Sequence, residues 1–222
     1  MKGPEFDSGP LDTPLKDGLA ALHLDAGDAE RAQLLSYLRT LSQWSRKHNL
    51  TAHREPMAML VHHLLDSATA IAFVRGRYCV DVGSGAGFPG IVIACLRPAL
   101  EVTLLDSVER KMSFCRHASA TAGIRNVRCV HGRVEHFEPE RRADTIVARA
   151  FTSLARLFEL SRGFLSDNGR IVAMKGRRDD GELAAAEAAG ADVEVVRVQT
   201  PGLDAERHVV LMRRRDAREC AA

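Results

Sequence analysis

The sequence predicts an α/β fold with a seven-stranded, mostly parallel sheet, one antiparallel strand and a helical N-terminal extension. Three observations predict it. A short apolar run over 78–82 ends in a glycine-rich turn and is followed by an apolar helical pattern from about residue 89. Apolar runs then alternate with helical periodicity through most of the remaining chain. The last two runs are separated only by residues 199–207, too short for a crossover helix, so we expect them to pair antiparallel.

The chain divides into four segments by composition and periodicity. Residues 1–27 are rich in Gly, Pro and Asp and are predicted to be a flexible tail with a short helix over 15–22. Residues 28–75 form the helical extension, with one helix down to about 47 and a second from Pro56. Residues 76–215 form the ligand-binding domain, and 216–222 a second tail. Within that domain, strands are expected at 78–82, 102–106, 127–131, 144–149, 170–175, 192–198 and 208–213, and helices near 89–96, 109–122, 153–165 and 180–189.

Composition indicates a soluble, cytoplasmic protein. Hydrophobic residues make up 45% and charged residues 27% of the 222 positions. No apolar run approaches the ~20 residues that span a bilayer, and no secretory signal stands at the N-terminus. The five cysteines include no C-x-x-C pair, so we expect reduced thiols and no metal site.

The net charge of +2 conceals three local excesses of basic residues. They lie within 39–63, 125–149 and 175–178, all bordering the glycine-rich turn in the predicted fold. Surface charge of this kind is usually just solvated. Three excesses around one ligand site favour a polyanionic partner.

The glycine-rich turn indicates a nucleoside cofactor. Gly85, Gly87 and Gly90 match the G-x-G-x-x-G pattern, which alone would suggest a dinucleotide such as NAD. Asp81 at the mouth of the loop would repel a pyrophosphate but attract the sulfonium and ammonium of S-adenosylmethionine. Together with the antiparallel pair, this favours a Rossmann-like, S-adenosylmethionine-dependent class I methyltransferase over an NAD-dependent oxidoreductase. Asp106, nineteen residues after Gly87, stands where an acid binds ribose hydroxyls.

Several motifs occur in the order of one known family. They are Asn49-Leu50-Thr51, His63-Leu64-Leu65-Asp66-Ser67, the stretch from Asp81 to Gly90 ending in Gly-Phe-Pro-Gly, Leu105-Asp106-Ser107, Arg133-Val134-Glu135, Arg149-Ala150-Phe151, Lys175-Gly176 and Glu206-Arg207-His208. From about residue 30 to 213 the chain thereby resembles the small-subunit ribosomal RNA methyltransferase G family, also called glucose-inhibited division protein B. His62 departs from the family, which often has Arg there, and the basic C-terminus beyond Met212 has no counterpart.

The resemblance implies methyl transfer from S-adenosylmethionine to N7 of a guanine, position 527 in the 530 loop of bacterial 16S ribosomal RNA. The partner would be that RNA or the small ribosomal subunit, and nothing in the sequence demands more than a monomer. A non-catalytic RNA-binding protein on a methyltransferase fold is a further alternative.

We expect the cofactor to contact residues after the first four strands. Asp81 would lie near the amino group, with Phe88 packed beneath the cofactor. The remaining cofactor-binding candidates are Gly83, Gly85 and Gly87 by their backbone, Asp106 at the ribose, Ser107, Val134 and Glu135 at the adenine, and Arg149. Asp106 has the alternative role of capping the next helix.

Guanine N7 carries a lone pair, so no catalytic base has to remove a proton from it. Catalysis then consists of positioning N7 for attack on the methyl group and of holding O6 with a hydrogen-bond donor. Arg149 and Lys175 are the candidate donors, although a surface ion pair is the alternative for Arg149 and plain solvation for Lys175. Candidate RNA contacts are Arg133, Arg177, Arg46 and Lys47, with Glu135 an equally good partner for Arg133. For His63, Asp66, Arg207 and His208 the sequence favours a structural role.

Overall fold

A computed structural model describes residues 6–215. Seven strands form one sheet with the order β3-β2-β1-β4-β5-β7-β6, in which β7 is antiparallel to both neighbours and the other pairs are parallel. The strands are β1 (Tyr78–Val82), β2 (Glu101–Asp106), β3 (Val127–His131), β4 (Ala143–Arg149), β5 (Leu165–Lys175), β6 (Ala191–Val198) and β7 (Arg207–Arg214). The predicted sheet is confirmed, including the antiparallel pairing of the last two strands.

Helices precede and cover the sheet. They are α1 (Asp12–Ala21), α2 (Asp28–His48), α3 (Pro56–Met59), α4 (Asp66–Ala68), α5 (Gly90–Leu96), α6 (Glu109–Ala122), α7 (Leu154–Ser161) and α8 (Asp180–Ala188). A π-helical stretch, Leu60–Leu65, joins α3 to α4 without a break. No described helix is long and apolar enough to cross a membrane.

Local sequence explains the ends of several helices. Asn49 adopts a left-handed conformation (φ +46°) that ends α2, directly after the basic last turn. Asp179 begins α8 by accepting a hydrogen bond from the Glu182 amide at 3.0 Å. The helix predicted over 153–165 ends earlier, because Gly163 falls in a 3₁₀ turn, and β5 then begins at Leu165.

The prediction of a flexible tail over 1–27 is wrong for the part that forms α1. Leu11, Leu15 and Leu19 repeat at helical spacing and are buried. They belong to the same apolar cluster as Leu34 of α2 and Leu104 of β2. Hydrophobic burial therefore orders this segment, and the Gly and Pro content misled the sequence reasoning. Residues 1–5 and the predicted tail 216–222 lie outside the described residues.

The order of the strands positions a crevice. β1 pairs with β2 on one side and with β4 on the other, so the loops that follow β1 and β4 leave the sheet in different directions. Ligands of open α/β sheets bind in the crevice at the carboxyl ends of the strands at such a switch point.

Candidate functional site

The loop between β1 and α5 requires its glycines. Gly83, Gly85 and Gly87 all have left-handed φ angles, +68°, +59° and +89°. A Cβ on Gly87 would lie 2.5 Å from the Tyr37 hydroxyl, which donates a hydrogen bond to the Ala86 carbonyl at 3.0 Å. Tyr37 is fully buried in α2. The helical extension therefore fixes the position of the loop.

Asp81 lies beneath this loop rather than at its mouth. The side chain is fully buried, and its Oδ2 accepts a hydrogen bond from the Gly90 amide at 2.7 Å. Its Oδ1 is buried and has no hydrogen-bond partner among residues 6–215, and the same is true of Ser84 Oγ, which is nearby in the sequence. Burial raises the pKa of Asp81 to about 7, although the Gly90 N–H and the Arg149 charge oppose that rise. A cationic group reaching Oδ1 would satisfy this oxygen and favour the ionised carboxylate.

A cavity of about 340 Å³ lies beside the loop, between the ends of β1, β2 and β3. Asp106 is in its wall and uses both carboxylate oxygens: Oδ2 accepts from the Gly85 amide and Oδ1 from the Val108 amide, each at 2.9 Å. Oδ2 also accepts from Lys111 Nζ at 3.4 Å. The Val108 contact is a local turn and no side chain caps α6 at its first residue, so the capping alternative for Asp106 is wrong. Oδ1 keeps a lone pair for a ligand hydroxyl. The cavity is also lined by Gly83, Ser107, Val108, Arg133, Val134, Glu135 and Phe151. An acid beside an apolar wall suits a nucleoside.

A second cavity, of about 610 Å³, lies between the π-helical stretch and the ends of β4, β5 and β7. We call it the target cavity. Its charged lining comprises Asp66, Arg149, Lys175 and Arg207, so formal positive charge exceeds negative charge by two. Its other polar lining includes Thr51, His53, His62, His63 and His208.

Asp66 joins the two arginines of the target cavity. Its Oδ2 lies 3.2 Å from Arg149 Nη1, and its Oδ1 lies 2.8 Å from Arg207 Nε. Thr200 Oγ1 donates to Oδ1 at 3.3 Å, and Arg149 Nη1 also donates to the His62 carbonyl at 2.8 Å. The alternative of a surface ion pair is wrong for Arg149, since this pair is mostly buried and faces the cavity. Nε and Nη2 of Arg149 donate no hydrogen bond to the described chain.

Lys175 also faces the target cavity, but its ammonium is engaged. Nζ lies 2.7 Å from Glu182 Oε1 and 3.4 Å from the Thr152 carbonyl. The side chain is about one quarter exposed. The solvated alternative is therefore wrong, and one of the three ammonium protons stays available.

Three histidines form one wall of the target cavity. The rings of His53 and His62 are stacked, with centroids 3.9 Å apart. His63 Nε2 lies 2.6 Å from Thr51 Oγ1, and its ring stacks on Phe88 at 4.9 Å. Burial lowers the pKa of His63 to about 3, and burial followed by repulsion from His53 lowers that of His62. The rings of His62 and His63 are therefore neutral near pH 7. Neutral rings suit a wall against which a flat apolar group can pack.

The two cavities meet at Ala150, which lines both. Ala150 has φ +51°, an uncommon angle for a residue with a Cβ. The Phe151 ring then covers Gly83, where an added Cβ would lie 2.3 Å from Cδ2. Phe88 is buried between His63 and Tyr37, with the Arg149 guanidinium 5.5 Å from its ring centre. It supports the loop from the side of the target cavity.

The candidate RNA contacts surround these cavities to different degrees. Arg133 is exposed in the wall of the smaller cavity and makes no ion pair within residues 6–215, because Glu135 pairs with Arg156 at 3.4 Å. The alternative of an Arg133–Glu135 pair is thus wrong. Arg177 is exposed two residues after Lys175, and Arg46 and Lys47 are exposed in the last turn of α2.

Sequence reasoning missed several residues of the target cavity. Thr51, part of a family motif, and His53 were given no role in a site, and Asp66 and Arg207 were given structural roles only. In the structure all four line the target cavity, while Asp66 also links α4 to the sheet. Their occurrence in or near the family motifs was a signal that they contribute to a site. Their distances from one another could be known only from the fold.

Comparisons with known proteins agree on one family. The model of the family described as rRNA small subunit methyltransferase G matches residues 30–210. A protein named ribosomal RNA small subunit methyltransferase G from Methylobacillus flagellatus is 43% identical over 198 residues, covering 89% of this chain and 96% of its own. The protein of the same name from Chromohalobacter salexigens is 45% identical over 200 residues, covering 90% and 96%.

Solved structures share the fold. The glycopeptide N-methyltransferase MtfA complexed with S-adenosylmethionine has a TM-score of 0.58 at 12% identity, covering 68% of this chain and 87% of its own. Precorrin-6y C5,15-methyltransferase from Geobacter metallireducens has a TM-score of 0.55 at 18% identity, covering 67% and 87%. Both identities are low, so these structures bear on the fold alone.

Proposed function

Since the chain belongs to the rRNA small subunit methyltransferase G family, we propose that it transfers a methyl group from S-adenosylmethionine to N7 of a guanine in the 530 loop of bacterial 16S ribosomal RNA. It is an S-adenosylmethionine-dependent methyltransferase, as predicted. The observation that supports the target proposal most strongly is the pair of cavities that meet at Ala150, one suited to a nucleoside and the other cationic.

The residues that line the smaller cavity, together with the glycine loop and the Asp81 beneath it, fit the cofactor. The unpartnered Oδ1 of Asp81 is the acceptor for its ammonium, and Asp106 accepts from its ribose hydroxyls. Ser107, Val134 and Glu135 border the adenine, while Gly83, Gly85 and Gly87 let the ligand lie against the backbone. Phe88 holds the loop from the side of the target cavity. When bound, S-adenosylmethionine supplies a methyl group on a sulfonium.

The target cavity receives the guanine. N7 attacks through its lone pair, so no residue has to remove a proton. Arg149 is the donor to O6, because Nε and Nη2 make no other hydrogen bond in the described chain while Nη1 is held by Asp66. Lys175 is the secondary donor with its remaining proton. The arginine must leave N7 free, and its anchoring by Asp66 keeps it to one side.

Exposed cations bind the RNA backbone around the cavities. Arg133, Arg177, Arg46 and Lys47 are our candidates for phosphate contacts. RNA affinity should fall with salt by ~0.7–0.9 log units per log unit of salt for each contact. We propose that the enzyme acts as a monomer in the cytoplasm, on the 16S RNA or the small subunit.

The experiment uses labelled S-adenosylmethionine and small subunits from a strain that lacks this gene. We expect one labelled nucleoside, 7-methylguanosine, at position 527. Arg149→Ala should abolish transfer while RNA affinity changes by ~1–3 kcal/mol, the usual worth of one base contact. Absence of 7-methylguanosine with a well-folded enzyme would contradict the proposal. Stabilisation by NAD in thermal melting, with none by S-adenosylmethionine, would restore the oxidoreductase alternative.

A further inference from the structure

We propose that a third cavity, beside the target cavity, binds the nucleobase of an RNA residue adjacent to the methylated guanine. This rests on the proposed function. The third cavity measures about 650 Å³ and lies between the segment before α1, the end of α2 and the start of α3. Nothing in the reaction itself requires it, since the cofactor and the target base occupy the other two cavities.

The third cavity is a neighbour of the target cavity, and the two share one lining side chain. His53 lines both, with its ring stacked on His62 in the target cavity. Consecutive nucleotides are joined by a short backbone, so a neighbour of a bound guanine must lie close by. Aromatic faces such as that of His53 are surfaces on which unpaired RNA bases stack.

A buried hydroxyl is left without a partner in this cavity. Ser45 is 2% exposed, and its Oγ makes no hydrogen bond to the described chain. A buried polar group without a partner is costly, and native structures seldom leave one unsatisfied. A base edge carries both donors and acceptors, so a hydroxyl that rotates freely can pair with it.

Exposed apolar surface marks the same place. Within residues 6–215, only Met57 and Val108 are large hydrophobic side chains classed as exposed, at 45% and 38%. Val108 lines the nucleoside cavity, where an adenine would cover it. Met57 lines the third cavity, and an equivalent flat apolar ligand would cover it in the same way. Phe6 and Leu11 extend this apolar lining inward.

Charge favours a base over a phosphate in this cavity. Arg46 and Arg54 contribute two positive charges to its lining, and Asp7 and Glu55 contribute two negative ones. The lining is therefore balanced, in contrast to the target cavity. Carboxylates repel phosphate but accept hydrogen bonds from the amino groups of bases.

The test measures kcat/KM for methylation of small subunits whose 16S RNA is intact or carries one abasic residue beside the target guanine. We expect an abasic residue at one flanking position to lower kcat/KM of the unmodified enzyme about tenfold, which is ~1.4 kcal/mol. Met57→Ala and Ser45→Ala should each lower kcat/KM on intact RNA but cause little further loss on that abasic RNA. Ser45→Ala should not lower the melting temperature, because Oγ has no hydrogen-bond partner to lose within residues 6–215.

The matched control is Val108→Ala, which alters the other exposed apolar side chain. It should raise the KM for S-adenosylmethionine equally on intact and abasic RNA. The subsite would be refuted if Met57→Ala and Ser45→Ala leave methylation of intact RNA unchanged, or lower it equally on every abasic RNA. If the unmodified enzyme methylates no small subunit, the proposed function fails instead, so the two failures are distinguishable.

Discussion

Replacing Asp66 by Asn tests whether one carboxylate holds both arginines of the target cavity in place. Asn keeps the shape of the side chain but removes its charge, and turns one acceptor into a donor that faces a guanidinium. The contacts to Arg149 at 3.2 Å and to Arg207 at 2.8 Å both lose the negative charge of the carboxylate, and one of the two also loses its acceptor atom.

The magnitude follows from those contacts. Hydrogen bonds to charged groups contribute ~1.5–3 kcal/mol each. The arginine side chains are 21% and 24% exposed, so we take the lower end, giving a loss of about 3 kcal/mol in the free energy of unfolding. At roughly 2–4 °C per kcal/mol for a chain of this size, the melting temperature falls by about 6–12 °C.

Loss of position at Arg149 should lower activity beyond this loss of stability. Measured below the melting transition, kcat/KM for RNA should fall by about 10- to 100-fold while the KM for S-adenosylmethionine stays the same. Asp12→Asn is the matched control, because Asp12 pairs with the buried Arg31 at 2.9 Å outside all three cavities. It should lower the melting temperature without changing kcat/KM. Equal activity of the Asp66→Asn and Asp12→Asn variants would refute the reasoning.

Three further predictions concern the glycine loop and its cofactor. Tyr37→Phe removes the hydrogen bond to the Ala86 carbonyl and should weaken S-adenosylmethionine binding about 2- to 10-fold by calorimetry, with kcat unchanged; unchanged affinity would mean that the hydroxyl does not position the loop. Gly87→Ala should abolish cofactor binding because the new Cβ would clash with the Tyr37 hydroxyl. The control Gly190→Ala is also at positive φ but has open space around the new Cβ, so it should be only mildly destabilising, and equal effects of the two variants would exclude the clash. Because the pKa of Asp81 is raised to about 7, only about a tenth of this carboxylate is ionised at pH 6, so cofactor affinity should be close to tenfold lower there than at pH 8. The same raised pKa means that the folded state binds the extra proton between pH 4 and 7, so the contribution of Asp81 to stability is present at low pH and is lost as pH rises through 7. Asp81→Asn should flatten both profiles, and an unaltered pH dependence would assign it to another group.

Much of the fold was predictable because its signals are local. The strand 78–82 and the helix 109–122 have the predicted bounds. The spacing of apolar residues and the positions of the flanking glycines determine where these two elements begin and end. The short connection at 199–207 was enough to predict the antiparallel pairing of β6 and β7. A short helix over 15–22 was predicted but was assigned to a flexible tail, because the stability of α1 comes from packing Leu15 and Leu19 against α2, which composition does not report.

The site was predictable in its residue types but not in its pairings. Glycines after β1 and acids at the carboxyl ends of β1 and β2 follow from the fold class, so Asp81 and Asp106 could be named from sequence. The sequence did not predict three ion pairs, Arg149–Asp66, Lys175–Glu182 and Glu135–Arg156. In each, the partner is distant in the sequence or competes with a nearer residue. The shared wall formed by His53 likewise depends on the π-helical stretch that brings His62 against it.

A crystal structure with S-adenosylhomocysteine tests the central claim that the donor and the target occupy two cavities joined at Ala150. The account predicts adenine between Val108 and Val134, the ribose at Asp106, the ammonium within hydrogen-bond distance of Asp81, and the sulfur directed toward Arg149. Density for the ligand in the target cavity, or with its sulfur directed away from Arg149, would contradict it.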